Sequence, residues 1–289
     1  MNILDAIVKR VNKKMNRDQI YRRGEYEIIM PSTSRLQEYQ KIFPLYDRFL
    51  PVLAGHLESG TIIDVGAHTG DTLVAMAHKC SNSFICIEPS DTFFDYLKKN
   101  ADKIQLKENQ NIKLIKKMAG TGNLSGDGST ATIQPTENQV IQSKYIQLDN
   151  TTTDYSDIVL IKSDVDGYDF DVIQSSEKIL TQSEPILFWE NQILDDFQYK
   201  EYGKFYDFLE EKGYSNLYIF DNFGNLLVEK SNFKTLRDIN AYLYNIEKYK
   251  ATRTFFYTDI LASTEKRVSI IESAVVDYKN NQVRHSVEK

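Results

Sequence analysis

At 289 residues, with 41% apolar and 26% charged side chains, the chain has the size and composition of one large globular domain with appendages. Its formal charge of −6 argues against nucleic acid as the main partner, because phosphate neutralisation needs concentrated Lys and Arg. The two cysteines, Cys80 and Cys86, form no Cys-x-x-Cys pair, which speaks against a disulfide framework and fits a reducing cytoplasm.

The chain starts with a locally basic stretch. Lys9, Arg10, Lys13, Lys14 and Arg17 accompany Ile3, Ile7, Val11 and Met15, which recur every four residues. This spacing predicts an amphipathic helix over residues 2–15. Such a stripe most often caps its own domain or makes a homo-oligomer contact. The basic face leaves a second reading open, peripheral contact with the inner face of a membrane. No apolar run reaches membrane-spanning length, and charges interrupt the first apolar stretch, so neither a span nor a signal peptide is expected. Residues 1–50 read as an N-terminal helical segment, 51–263 as the main domain and 264–289 as a helical tail.

From Thr61 short apolar runs alternate with helical segments. Residues 61–65 predict a buried strand, followed by a glycine turn and a helix through Lys79. Residues 83–87 predict a second strand, and the helix after it carries Phe93, Phe94 and Leu97. A third strand is expected at 111–116. The fourth and fifth, at 158–162 and 185–190, flank a helix with Phe170, Ile173 and Leu180. This alternation implies a doubly wound α/β domain with right-handed crossovers. Residues 120–134, with Gly120, Gly122, Gly126 and Gly128, read as a functional loop with a short strand at 130–133. Residues 218–220 and 226–228 flank a turn containing Gly224, a hairpin signal. A helix at 236–246 and a last strand at 254–261 follow. A closing helix at 265–278 places Val268, Ile271, Val275 and Tyr278 on one face.

The segment Ile62-Ile63-Asp64-Val65-Gly66-Ala67-His68-Thr69-Gly70-Asp71-Thr72 carries the most chemistry. A buried strand ends at an acid, and two glycines open the helix; Gly66 lets the backbone turn sharply and approach a ligand. The turn lies at the carboxyl end of the first strand, where ligands bind in doubly wound folds. Glu88, followed by Pro89, ends the second strand, placed to accept hydrogen bonds from both hydroxyls of an adenosyl ribose. The Gly-x-Gly-x-x-Gly spacing that cradles a pyrophosphate is absent, and Asp64 adds negative charge. A ligand joining a ribose to a cationic sulfonium suits Asp64 and Glu88 better than a dinucleotide. The bland alternative is a tight strand-to-helix turn without a ligand.

Several motifs together resemble the FkbM family of methyltransferases. They are Asp64-Val65-Gly66-Ala67 with Gly70, Glu88-Pro89 with Asn100, Leu148-Asp149, Lys162-Ser163-Asp164-Val165-Asp166-Gly167-Tyr168-Asp169, Pro185 with Glu190, and Tyr257-Thr258-Asp259-Ile260-Leu261-Ala262. The chain departs from the family pattern at His68, usually Asn; at Ser163, usually apolar; at Asp166 and Asp169, usually Glu; and at Ser175-Ser176, usually Gly-Ala. The resemblance implies a Rossmann-like class I methyltransferase fold, with a mostly parallel sheet and an antiparallel last strand. It also implies S-adenosyl-L-methionine as cofactor and O-methylation of a sugar, glycan or other small molecule.

On this reading Asp64, Gly66, Ala67, His68, Gly70, Asp71, Thr72, Glu88, Pro89 and Asp164 contact the cofactor. Asp164, Asp166 and Glu190 are the candidate bases, with His68 a fourth whose commoner role is contact. Clustered carboxylates raise one another's pKa, which makes a better base. The same oxygens would suit Mg²⁺ or Ca²⁺, although a base or orienting role is favoured over a metal. Asp166 or Asp169 could instead cap the following helix, and Trp189 is more often core than a stacking surface. A non-catalytic binding module and a dinucleotide-dependent sugar-modifying enzyme are the rival functions.

Overall fold

A computed structural model describes residues 18–23, 25–122, 124–125, 134–135, 144–249, 252 and 254–287. The helix expected at 2–15 and the short strand expected at 130–133 lie outside the described residues.

The chain enters with β1 (Gln19–Arg23) and β2 (Tyr26–Met30), paired antiparallel. This corrects the helical reading of residues 1–50 over the two strands. Tyr21, Ile28 and Met30 turn inward on a period of two and pack with Val74, so the segment folds as strands. Asn100 fastens it: its side chain exchanges two 2.8 Å hydrogen bonds with the backbone of Ile29 and donates to the Thr69 carbonyl at 2.7 Å. Helices α1 (Leu36–Ile42) and α2 (Phe49–Ala54) follow. Helix α2 runs across the expected boundary at 51, with Phe49 and Leu50 buried in the main core.

The central sheet is assembled from β3 (Thr61–Val65), β4 (Ser83–Ile87), β5 (Ile112–Ile115), β10 (Ile158–Ser163), β11 (Ile186–Asn191), β12 (Asn216–Asp221), β13 (Leu226–Ser231) and β14 (Thr258–Ser263). Their spatial order is β13-β12-β14-β11-β10-β3-β4-β5. Strands β5, β4, β3, β10 and β11 are mutually parallel, and β14 inserts antiparallel between β11 and β12. The fold is therefore the expected mostly parallel α/β sheet with an antiparallel last strand. Strand order reverses between β3 and β10, which creates the crevice where doubly wound folds bind ligands. Small strand pairs decorate one end: β6 (Met118–Ala119) with β9 (Tyr145–Ile146), and β7 (Leu124–Ser125) with β8 (Gln134–Pro135).

Alternation along the strands builds a core on each face of the sheet. Ile63, Val65, Ile161 and Leu187 point to one side with α5 (Asp169–Gln174), α6 (Glu177–Ser183), α7 (Asp196–Glu211) and α8 (Phe233–Tyr249). Ile62, Leu160 and Ile186 point to the other, with α2, α3 (Asp71–Lys79), α4 (Asp91–Ala101) and α9 (Val268–Val287).

Three boundaries differ from expectation. The single helix expected after β10 is two helices, because Ser175 and Ser176 donate to the carbonyls of Val172 and Ile173 at 2.6 Å and compete with helix continuation. Asp149 then caps the second, accepting from the N–H groups of Lys178 (3.0 Å) and Ile179 (3.1 Å). The last strand starts at Thr258 rather than 254, where pairing with Asn191 begins. The closing helix runs on to Val287, and Ile271, Val275 and Tyr278 pack on its own domain. Tyr278 meets Phe49 edge-on at 5.3 Å, and its hydroxyl donates to the Gly224 carbonyl at 2.7 Å.

Candidate active site

The carboxyl edge of the sheet opens into a cavity of about 890 Å³, within the size range of small-molecule sites. Its floor is the turn after β3. Gly66 adopts φ +68, and a Cβ there would lie 2.0 Å from the Asp164 carbonyl, so only glycine lets the β3 and β10 ends approach. His68 also adopts a left-handed φ of +47, a region that His and Asn enter more readily than most residues. That shared tolerance accounts for His at a position where the motif usually has Asn.

Glu88 holds this turn. Its Oε2 accepts the His68 N–H at 2.9 Å and its Oε1 the Ser90 N–H at 2.8 Å. Burial raises its pKa, opposed by those two backbone donors. Each oxygen can still accept a second donor from the cavity. The His68 ring lies against Phe93, with centroids 3.8 Å apart, so an exposed imidazole and a helix aromatic form one wall.

Of the sequence candidates, Gly66, Ala67, His68, Asp71, Thr72, Glu88, Pro89, Asp164, Asp166 and Glu190 line the cavity. Asp64 and Gly70 do not, and this corrects their assignment as contact residues. Asp64 is fully buried beneath the turn and pairs with Lys162 Nζ at 3.1 Å. Gly70, at φ +81, caps α3 and sits against Leu97. Lys162 is the group the sequence reading passed over. Burial opposes its charge, but Asp64 and Asp164 outweigh burial and hold its pKa well above the ordinary lysine value. Its ammonium also donates to the carbonyls of Val65 (3.1 Å) and Gly66 (3.0 Å), locking β10 to the turn. A lysine directly after four aliphatic residues of a strand, Ile158 to Ile161, was the available signal.

The other half of the cavity is acidic. Asp164 and Asp166 follow β10, Glu190 sits near the end of β11, and Asp259 pairs with Glu190 across to β14. Glu190 is 7% exposed, and its Oε2 is buried without a hydrogen-bond partner. Its pKa stands well above the carboxylate range, from burial first and then from Asp164, Asp169 and Asp259. Asp166, at φ +54, is raised by burial and by Asp164. Asp169 is buried in the first turn of α5, and burial pushes it to about 8. The residue at the helix cap is Tyr168, so neither Asp166 nor Asp169 is the N-cap. Trp189 is core, edge-on to Phe205 at 5.6 Å.

The segment between α1 and α2 adds Tyr46 and Asp47 to the cavity lining, residues assigned by sequence to a separate segment. No periodic pattern marks them. Among the described residues, no three His, Cys, Asp or Glu side chains are arranged to share a metal ion. No described helix is long and apolar enough to cross a membrane.

Comparison with curated proteins gave no match. Among solved structures, the chain resembles an rRNA methylase from Streptococcus thermophilus at 9% identity, covering 74% of this chain and 93% of that one, with a TM-score of 0.43. It also resembles an O-methyltransferase from Bacillus cereus in complex with SAH at 12% identity, covering 80% and 90%, with a TM-score of 0.44. The family described as Methyltransferase FkbM domain matches residues 64–215, from the acid at the end of β3 to the approach to β12. That match takes in the turn, Glu88 and Glu190 over more than half of the chain, which belongs to the FkbM methyltransferase family.

Proposed function

We propose that this methyltransferase is S-adenosylmethionine-dependent and methylates a hydroxyl oxygen of a sugar, glycan or other small molecule. The observation that carries the reading is one cavity with two differently equipped ends. Glu88, with acceptor capacity to spare, stands at the β4 end, and Glu190, with an unpartnered buried oxygen, stands at the β11 end.

The residues fit the cofactor. Glu88 suits a ribose diol, the glycine turn allows close backbone approach, and the Phe93–His68 wall offers an aromatic surface. When bound, S-adenosylmethionine supplies an electrophilic methyl group. The chain's part is to aim an acceptor oxygen in line with it and to take the hydroxyl proton. Asp164, Asp166 and Glu190 share that role as candidates, and Glu190 is the one shielded from water. No metal enters the proposal.

The rivals fit less well. A dinucleotide or a nucleic-acid acceptor would bring phosphates against Asp164, Asp166 and Asp259. A binding module without turnover leaves the Glu190 oxygen unexplained. The two free, buried cysteines support a cytoplasmic location.

The test is transfer of labelled methyl from S-adenosylmethionine to a panel of hydroxylated acceptors by the wild type and by the Asp164→Asn, Asp166→Asn and Glu190→Gln variants. Loss of the working base should lower kcat by about 10²–10⁴-fold with cofactor affinity kept. Because a base must be ionised and Glu190 is raised, the acidic limb of the pH–rate profile should lie above the ordinary carboxylate range. Full turnover by all three amide variants would refute the carboxylate assignment.

A further inference from the structure

The acceptor end of the cavity is built for a particular charge. Four segments bring carboxylates there: Asp47 between α1 and α2, Asp164 after β10, Glu190 on β11 and Asp259 on β14. Two phenols, Tyr46 and Tyr257, line the cavity one residue before Asp47 and two before Asp259. Such an arrangement alone could be a solvated acidic rim. Glu190 argues otherwise, because it is 7% exposed, lines the same space and has no hydrogen-bond partner for its buried Oε2. A buried acceptor without a donor calls for a ligand that brings one.

None of the basic side chains lining the cavity pairs with Asp47, Asp259 or Glu190. Lys162 pairs with Asp64 at 3.1 Å and with Asp164 at 3.7 Å, and donates to the carbonyls of Val65 and Gly66. Arg48 Nε donates to the Pro44 carbonyl, and Arg35 lies 3.7 Å from Glu38. The His68 ring is tilted against Phe93, and Lys117 follows β5 at the Glu88 end. Lys162 thus offsets Asp164, while Asp47, Asp259 and Glu190 form no ion pair with a described cation.

Asp259 and Asp47, both half-buried, stand above the carboxylate range, from desolvation first; like charges then add, Asp164 and Asp47 at Asp259, and Asp71 and Asp164 at Asp47. The Tyr46 hydroxyl is raised by Asp47 and burial, and that of Tyr257 by burial and Asp259, so both phenols keep their protons and stay neutral. A neutral polyol would accept and donate hydrogen bonds here but relieve none of this repulsion. A phosphate would worsen it. Aromatic faces beside carboxylates are the surroundings that an organic ammonium prefers, through cation–π and charge attraction together.

Resting on the reading of the cavity as a methyl-transfer site, we propose that the acceptor is cationic, a hydroxylated molecule whose ammonium group sits between Asp47, Asp259, Tyr46 and Tyr257 while its hydroxyl faces Glu190. Amino sugars and amino alcohols are the chemical classes that fit. The ammonium would act as a specificity element, and the methyl group would go to oxygen.

Glucosamine and glucose, which differ at one group, provide the probe pair. Their binding to the protein saturated with S-adenosylhomocysteine would be followed by calorimetry or ligand-observed NMR at neutral pH. Glucosamine should bind about tenfold or more tightly than glucose, as for a partly desolvated charge pair. Asp259→Asn and Asp47→Asn should each shrink that preference several-fold and leave the affinity for S-adenosylhomocysteine unchanged. Equal binding of the two sugars, a preference for glucose, no binding of either, or a preference untouched in both variants would overturn the proposal. Failure of S-adenosylhomocysteine to bind would instead count against the methyl-transfer reading beneath it.

Discussion

Glu88 and Glu190 occupy opposite ends of one cavity, each near the carboxyl end of a parallel strand, and their surroundings differ in kind. Both oxygens of Glu88 accept backbone N–H groups from its own neighbourhood, His68 and Ser90. Glu190 keeps a bare oxygen and faces Asp164, Asp169 and Asp259. The first carboxylate is organised before any ligand arrives, and it organises the turn in return. The second is held by the sheet but not satisfied by it. A preorganised end suits a ligand common to a whole family, and an unsatisfied end suits the ligand that distinguishes one member.

The sharpest way to break this comparison is to remove the lysine between the two ends. Lys162→Met leaves Asp64 buried and uncompensated, which should destabilise the protein by about 3–5 kcal/mol. Adding Asp64→Asn should recover most of that loss. A urea midpoint unchanged in the single variant would show that the two ends are not coupled through this pair.

Asp169 gives a smaller effect with a defined sign. Its folded pKa is raised from 3.8 to about 8, so the protonated form is favoured by folding. The stability it contributes is fully present below the unfolded pKa and is lost as pH rises through the folded one. Asp169→Asn should therefore melt higher than the wild type near pH 8, by roughly 2–4 °C per kcal/mol recovered, and close to it near pH 4. A difference independent of pH would contradict the account of its burial.

The same contrast governs how much could be read from the sequence. The parallel strands, the glycine turn and Glu88 are local features: an apolar run, a residue type that φ demands, and a strand-end position. All are visible within a few residues of one another. The N-terminal hairpin was obscured because its period of two is carried by only Tyr21, Ile28 and Met30 next to a basic stretch of helical period. The break at Ser175-Ser176 depends on side-chain bonds that a hydropathy pattern does not show. Asp64, read as a ligand contact, turned inward because Lys162 lies across from it in register, a pairing visible only once β3 and β10 are neighbours. Asp47 and Asp259 lie more than two hundred residues apart in sequence, and only the sheet order brings them to one wall.

The central claim is that the Glu88 end of the cavity holds S-adenosylmethionine. Calorimetry with S-adenosylhomocysteine and with NAD, on the wild type and on Glu88→Gln, tests it directly. An amide can accept through only one of its two heavy atoms, so the variant loses a ribose contact or a turn contact. The account predicts that the wild type binds S-adenosylhomocysteine and not NAD, and that Glu88→Gln weakens binding by about 1.5–3 kcal/mol. Binding of NAD alone, or an affinity for S-adenosylhomocysteine that Glu88→Gln leaves unchanged, would contradict it.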